Sequence, residues 1–131
     1  MAVSMSGMSE PLALVFYEKL LPGQQIVNRL QDLGYRVQTL TNAAVLKDDV
    51  QKLKPMLLIT EFPNSGSAVD EAIQSIKQTP ETAHVAILAY ISAEQTGLRD
   101  IANLSGADLI ASETELLDQL PQLLDQVLRL D

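Results

Sequence analysis

Pro55 is followed by the run Met56-Leu-Leu-Ile59. These four apolar residues lie between polar segments, and a short continuous apolar run is typical of a strand that is covered on both faces. Two further runs have the same character, Leu12-Ala-Leu-Val-Phe16 and Val85-Ala-Ile-Leu-Ala89. The sequence therefore predicts a core built around buried strands, with the run after Pro55 as the central one.

Two other segments complete the predicted strands. Residues 35–40 alternate between apolar and polar side chains, which favours a strand with one more exposed face at a sheet edge. Residues 109–111 form a short last strand.

Segments with apolar residues every three to four positions separate these strands and predict helices. The predicted helices cover 22–33 (ending at Gly34), 42–53 (with Asn42 as N-cap), 69–76 (with Ser65 or Ser67 as N-cap), 94–104, and 116–128 with a break at Pro121. Strands and helices that alternate in this way predict an α/β, flavodoxin-like fold. Its five-stranded parallel sheet has the order 2-1-3-4-5, with helices on both faces.

Length and composition limit the classes of function. The chain has 131 residues, which is the size of one domain, and we expect a mobile tail over 1–10 and a single domain over 11–131. There is no cysteine and a single histidine, His84, so disulfides, thiolate nucleophiles and multi-histidine metal centres are excluded. No export signal or long apolar segment is present, and we expect a cytoplasmic protein without membrane contact.

The net charge of −8 argues against nucleic acid as a partner. The excess is uneven: residues 1–80 carry 7 basic and 8 acidic residues, whereas residues 81–131 carry 2 basic and 9 acidic residues. This distribution predicts a basic protein partner, bound in a salt-sensitive manner through the second half of the chain.

Four short phrases, at compatible spacings, resemble the receiver domain of bacterial response regulators, and the resemblance covers residues 11–130. The phrases are Leu30-Gln-Asp-Leu-Gly-Tyr-Arg-Val37, Lys54-Pro-Met-Leu-Leu-Ile59, Thr79-Pro-Glu-Thr82 and Ser105-Gly-Ala-Asp108. The resemblance implies phosphoryl transfer from a histidine kinase to an Asp that ends the third strand. It also implies Mg²⁺ bound by an acidic pair, and a hydroxyl and a Lys that contact the phosphoryl group.

The chain departs from this pattern at each position. The acidic pair falls on Tyr17 and Glu18, the acceptor on Glu61 (or its neighbour Thr60), the hydroxyl on Ile91 (or its neighbour Ser92), and the Lys on Glu113. A negative charge at Glu113 opposes phosphate binding. We therefore interpret the chain as an atypical receiver that lacks the phosphoacceptor site.

Ordinary structural roles explain most of these residues. We expect Glu18 and Glu61 to be solvated loop carboxylates, while a divalent-cation site at the two remains a weak hypothesis, as does Glu61 as a mimic of the charged acceptor. Tyr17 is expected to cover the core with its hydroxyl in water, Ile91 to lie in the core, and His84 to be structural or solvated. No cofactor is expected.

The favoured function is a non-enzymatic, phosphorylation-independent protein interaction module in bacterial signalling. The resemblance implies that the partner, or a second copy in a homodimer, meets the surface of the fourth helix, fifth strand and last helix. Interface candidates are Tyr90, Arg99, Leu116 and Leu120. Two alternatives remain open: a divergent receiver still phosphorylated within a two-component phosphorelay, and a flavodoxin-like small-molecule sensor.

Overall fold

A computed structural model describes residues 11–17, 20–40, 45–61, 67–91 and 106–129. Its strands are β1 (Leu12–Phe16), β2 (Arg36–Leu40), β3 (Leu57–Glu61), β4 (Ala86–Ile91) and β5 (Leu109–Ser112). They form one sheet in the order β2-β1-β3-β4-β5, and every neighbouring pair is parallel. The predicted order is confirmed, with β2 at an edge and β3 in the centre.

Helices cover both faces of the sheet, as predicted. They are α1 (Leu20–Asp32), α2 (Leu46–Leu53), α3 (Ser67–Gln78), α4 (Glu113–Asp118) and α5 (Leu120–Arg129). Side chains alternate along each strand, so Val15 packs in the layer of α1, α4 and α5, whereas Leu14 and Phe16 pack in the layer of α2 and α3. The helix predicted over 94–104 lies outside the described residues.

Local sequence explains the ends of two helices. Gly34 has a φ of 94°, and it ends α1 with a pair of backbone bonds, from Gly34 N to Gln31 O (3.0 Å) and from Tyr35 N to Leu30 O (3.1 Å). Pro121 lies in the first turn of α5, where no intrahelical N–H is needed, and α4 has already ended at Asp118. The predicted break in the last helix is therefore confirmed.

Three boundary predictions need correction. Met56 precedes β3 and is 51% exposed, so it is not part of the buried run. The helix α2 begins at Leu46 with Val45, rather than Asn42, at its N-cap position, and no side chain caps it. The helix α3 begins at Ser67 itself, two residues earlier than predicted, and Ser65 lies outside the described residues.

Two interface predictions are wrong. Leu116 and Leu120 are fully buried in the layer of α1, α4 and α5. They form part of the apolar stripe that packs α4 and α5 on the sheet, so a partner cannot contact them on the folded surface.

One ion pair links three elements at the amino end of the sheet. The Lys77 ammonium of α3 donates to Asp108 Oδ2 (2.6 Å), to Val85 O (2.7 Å) and to Ala83 O (3.2 Å). Asp108 Oδ2 also accepts from Ile87 N at 2.8 Å, and Asp108 N donates to Ile87 O at 2.9 Å. We call Lys77, Asp108 and these partners the amino-end clasp.

Candidate functional site

The candidate site is the carboxyl end of the sheet, where ligands bind in open parallel α/β folds. Strand register places the predicted residues there. Glu61 of β3 pairs with Tyr90 of β4, and Ile91 pairs with Ser112 of β5. Tyr17 directly follows β1, and Glu113 directly follows β5. Four of the five predicted positions therefore meet at one end of the sheet, and the fifth, Glu18, lies outside the described residues.

Glu61 is not a solvated loop residue, as the sequence had suggested, because β3 continues through it. Only 4% of its surface is exposed. It follows Ile59 in the alternation, so its side chain is on the face of α1, α4 and α5. Thr60, the neighbouring acceptor candidate, is fully buried, and its hydroxyl donates to the Glu61 carbonyl oxygen (3.0 Å).

The prediction of Tyr90 as an interface residue is wrong, since Tyr90 is fully buried within β4. Its ring lies in the same layer as Tyr17, and its hydroxyl has no hydrogen-bond partner among the described residues. Burial raises the pKa of the Tyr90 hydroxyl well above its usual value, and the negative charges of Glu61 and Glu113 raise it further. The hydroxyl therefore stays protonated beside two carboxylates.

Tyr17 is held against the beginning of α1. It is 9% exposed, and its ring lies so close to Gly23 that a Cβ there would come within 2.6 Å of Cδ1 of the ring. Only a glycine leaves this space. The sequence alone does not single out Gly23, because a glycine in the first turns of a helix carries no information about the ring packed on it.

The remaining positions lie around this centre. Glu113 begins α4 next to Ser112, whose hydroxyl accepts from Glu115 N (3.1 Å) while the Glu115 carboxylate accepts from Ser112 N (2.9 Å). Ile91 is buried in the opposite layer with α2 and α3, so it lies in the core and brings no polar group to the site.

Several candidates lie elsewhere. His84 is exposed on the turn before β4, at the amino end of the sheet. Ser92, Arg99 and the tail 1–10 are outside the described residues. Within the described ranges, no three acidic or histidine side chains are close enough to hold a metal ion. None of the helices described there is long and apolar enough to cross a membrane.

Sequence comparison identifies no relative: no family model matches the chain, and no curated protein matches it. Structure comparison finds proteins of the same fold. Chemotaxis protein CheY4 of Vibrio cholerae superposes with a TM-score of 0.77 at 17% identity, over 91% of this chain and 99% of that chain. A response regulator from Thermotoga maritima gives 0.76 at 17% identity, over 92% and 98% of the two chains.

A two-component response regulator of the LuxR family from an Aurantimonas species gives a TM-score of 0.75 at 16% identity, over 92% of this chain and 86% of that chain. In each case almost the whole of this chain superposes. The strand order and the two helical layers agree with these likenesses. The chain therefore has the fold of the receiver domains of bacterial response regulators.

Proposed function

We propose that this chain is a receiver-like domain of bacterial signal transduction that works as a protein interaction module without being phosphorylated, and that it is not an enzyme. One observation carries the proposal. Glu61, at the position predicted for the acceptor, is 4% exposed and lies beside the buried ring of Tyr90. A carboxylate must meet its phosphodonor in line, and the burial of Glu61 opposes such an approach.

The residues around Glu61 also oppose the chemistry. A phosphoryl group needs Mg²⁺ held by several carboxylate oxygens and a cation to balance its charge. Tyr17 supplies no carboxylate at one predicted position of the acidic pair. Glu113 adds a negative charge where the family that the chain resembles has a Lys. These substitutions act in the same direction, so restoring one residue should not restore transfer.

The partner surface we propose is the predicted face of the helix over 94–104, the fifth strand and the last helix; of this face the structure describes β5, α4 and α5, whereas 94–104 lies outside the described residues. Leu116 and Leu120 face the core, so the exposed residues Asp118, Gln122 and Asp125 take their place as contacts. The acidic excess of residues 81–131 favours a basic partner whose binding weakens with salt. Sedimentation velocity of the purified chain will show whether this partner is a second copy.

The experiment is incubation of the full chain with acetyl phosphate and Mg²⁺, followed by intact mass measurement. We expect no added phosphoryl group. A receiver domain with the complete acidic set, treated in parallel, controls for the activity of the reagent. Addition of one phosphoryl group to the wild-type chain would refute the proposal, and peptide mapping would then assign it to Glu61, Thr60 or Ser92.

A further inference from the structure

Two aromatic side chains accompany Glu61 on the same face of the sheet. Tyr90 pairs with Glu61 in register, and both side chains point to the layer of α1, α4 and α5. Tyr17 packs into the same layer from the end of β1. Glu61 itself is only 4% exposed, and Tyr90 is its direct neighbour on β4.

Packing, rather than hydrogen bonding, holds the Tyr90 ring in place. Its hydroxyl is buried without a partner among the described residues. A buried hydroxyl without a partner is unfavourable, so the ring would turn toward solvent if packing did not hold it. Tyr90 therefore contributes to this end of the sheet by filling space with its ring, and not through its hydroxyl.

Tyr17 is held independently. The ring fits against Gly23 of α1, and any larger residue at that position would collide with it. The two rings thus have separate supports, one in the sheet and one in the first helix.

We infer that Tyr90, together with Tyr17, is an occluding residue that fills the space next to Glu61 and keeps phosphodonors and hydrated cations away from its carboxylate. The inference rests on the proposed function, because it gives the physical reason why this end of the sheet takes no phosphoryl group. On this inference, the chain fails to accept a phosphoryl group because the Tyr90 ring occupies the space, as well as because the residues that would bind the metal and the phosphoryl group are missing.

The test measures access to the carboxylate directly. The folded full chain is treated with a water-soluble carbodiimide and glycine ethyl ester, and labelled carboxyl groups are located by peptide mapping. In the wild type, we expect Glu61 to react at least about tenfold more slowly than exposed Asp118, since reaction requires local opening. Tyr90→Ala should abolish most of that difference. Tyr90→Phe, which keeps the ring, should preserve it.

Tyr35→Ala is the matched control. It removes another tyrosine ring that packs against the same layer, close to the amino end of the sheet, and Glu61 should stay protected. If Tyr90→Ala fails to fold, as judged by circular dichroism, Tyr90→Val tests the same space with a side chain suited to a strand.

Fast labelling of Glu61 in the wild type would overturn the inference, as would a folded Ala or Val variant in which Glu61 stays protected. Equal labelling in the Phe and Ala variants would also overturn it, because the ring would then not be the barrier. The acetyl phosphate experiment on the wild type decides the proposed function separately, so the two failures are distinguishable.

Discussion

The two ends of the sheet differ in how their polar side chains are hydrogen-bonded. At the amino end, the Lys77 ammonium and the Asp108 carboxylate share four hydrogen bonds with each other and with backbone groups of neighbouring segments. At the carboxyl end, the Tyr90 hydroxyl is buried without a described partner, beside Glu61 and Glu113. Among the described residues, the sheet thus has a hydrogen-bonded ion pair at one end and a buried hydroxyl without a partner at the other.

This difference separates the residues that specify the fold from those at the candidate site. The amino-end clasp joins α3, the start of β4 and the start of β5 through an ion pair and backbone hydrogen bonds. An unpaired buried hydroxyl lowers stability and marks a position that folding alone does not explain. Removing the polar group should therefore lower stability for Lys77 at the amino end and raise it for the Tyr90 hydroxyl at the carboxyl end.

The largest effect is expected from Lys77→Met. The substitution leaves Asp108 and two backbone carbonyl groups without their partner, although both charged side chains retain some solvent contact (19% and 26% exposed). We expect the free energy of unfolding to fall by about 2–3 kcal/mol. Urea denaturation measures it, with Lys52→Met at an exposed position of α2 as the matched control, which should change stability by less than about 0.5 kcal/mol. Equal effects of Lys77→Met and Lys52→Met would show that the amino-end clasp contributes no more to stability than an exposed lysine does.

At the carboxyl end, Gly23→Ala tests the space under Tyr17. The new methyl group collides with the ring, and we expect a loss of about 1–2 kcal/mol. In the Tyr17→Ala background the collision is absent, and the same change should be neutral or stabilising, because alanine favours a helix by about 1 kcal/mol over glycine. Urea unfolding of the wild type, the two single variants and the double variant gives the coupling free energy between Gly23 and Tyr17. Additive effects would show that Gly23 and Tyr17 do not touch.

The sequence predicted the architecture well because three strands are buried on both faces. The runs at β1, β3 and β4 are apolar whichever way a side chain points, so their positions needed no knowledge of the partners. Their ends were less predictable. Pairing with neighbours carries β3 through Thr60 and Glu61, whose polar side chains had suggested a loop.

The site was predicted only in part, for the same reason. Counting from motifs placed Glu61 and Glu113 at the correct end of the sheet, but whether Tyr90 faced inward depends on the register between β3 and β4. The clasp was also missed, since Lys77 and Asp108 are 31 residues apart and no local pattern links them. Contacts of this range follow from topology rather than from spacing.

Tyr90→Phe should act in the opposite direction to Lys77→Met. It removes the unpaired hydroxyl and keeps the ring, so we expect a gain of about 1 kcal/mol in the free energy of unfolding near neutral pH. A loss of similar size would mean that the hydroxyl has a partner in solution, and the contrast between the ends would fail.

The raised pKa of Tyr90 predicts that the free energy of unfolding depends on pH, and Tyr90→Phe tests this. The pKa of Tyr90 is raised by burial first and by Glu61 and Glu113 next, so the native state keeps the proton at a pH where the unfolded chain loses it. Stability is unaffected below about pH 10 and falls above it by up to about 1.4 kcal/mol per pH unit. Tyr90→Phe should lack this part of the fall, whereas Tyr35→Phe, at a half-buried position, should remove less. Parallel curves for the wild type and Tyr90→Phe would contradict it.

The smallest effect is expected at Lys54, on the amino side of β3. Lys54 follows α2 in a left-handed conformation (φ 50°, ψ 58°) directly before Pro55, a backbone geometry that lysine disfavours. Lys54→Gly relieves that strain but raises the entropy of the unfolded chain, and the balance is a gain of about 0.5 kcal/mol. Urea denaturation can resolve it against Lys52→Gly, which places glycine inside α2 and should cost about 1 kcal/mol. A gain confined to Lys54 would show that the amino end, despite its paired polar groups, still holds strain in its backbone.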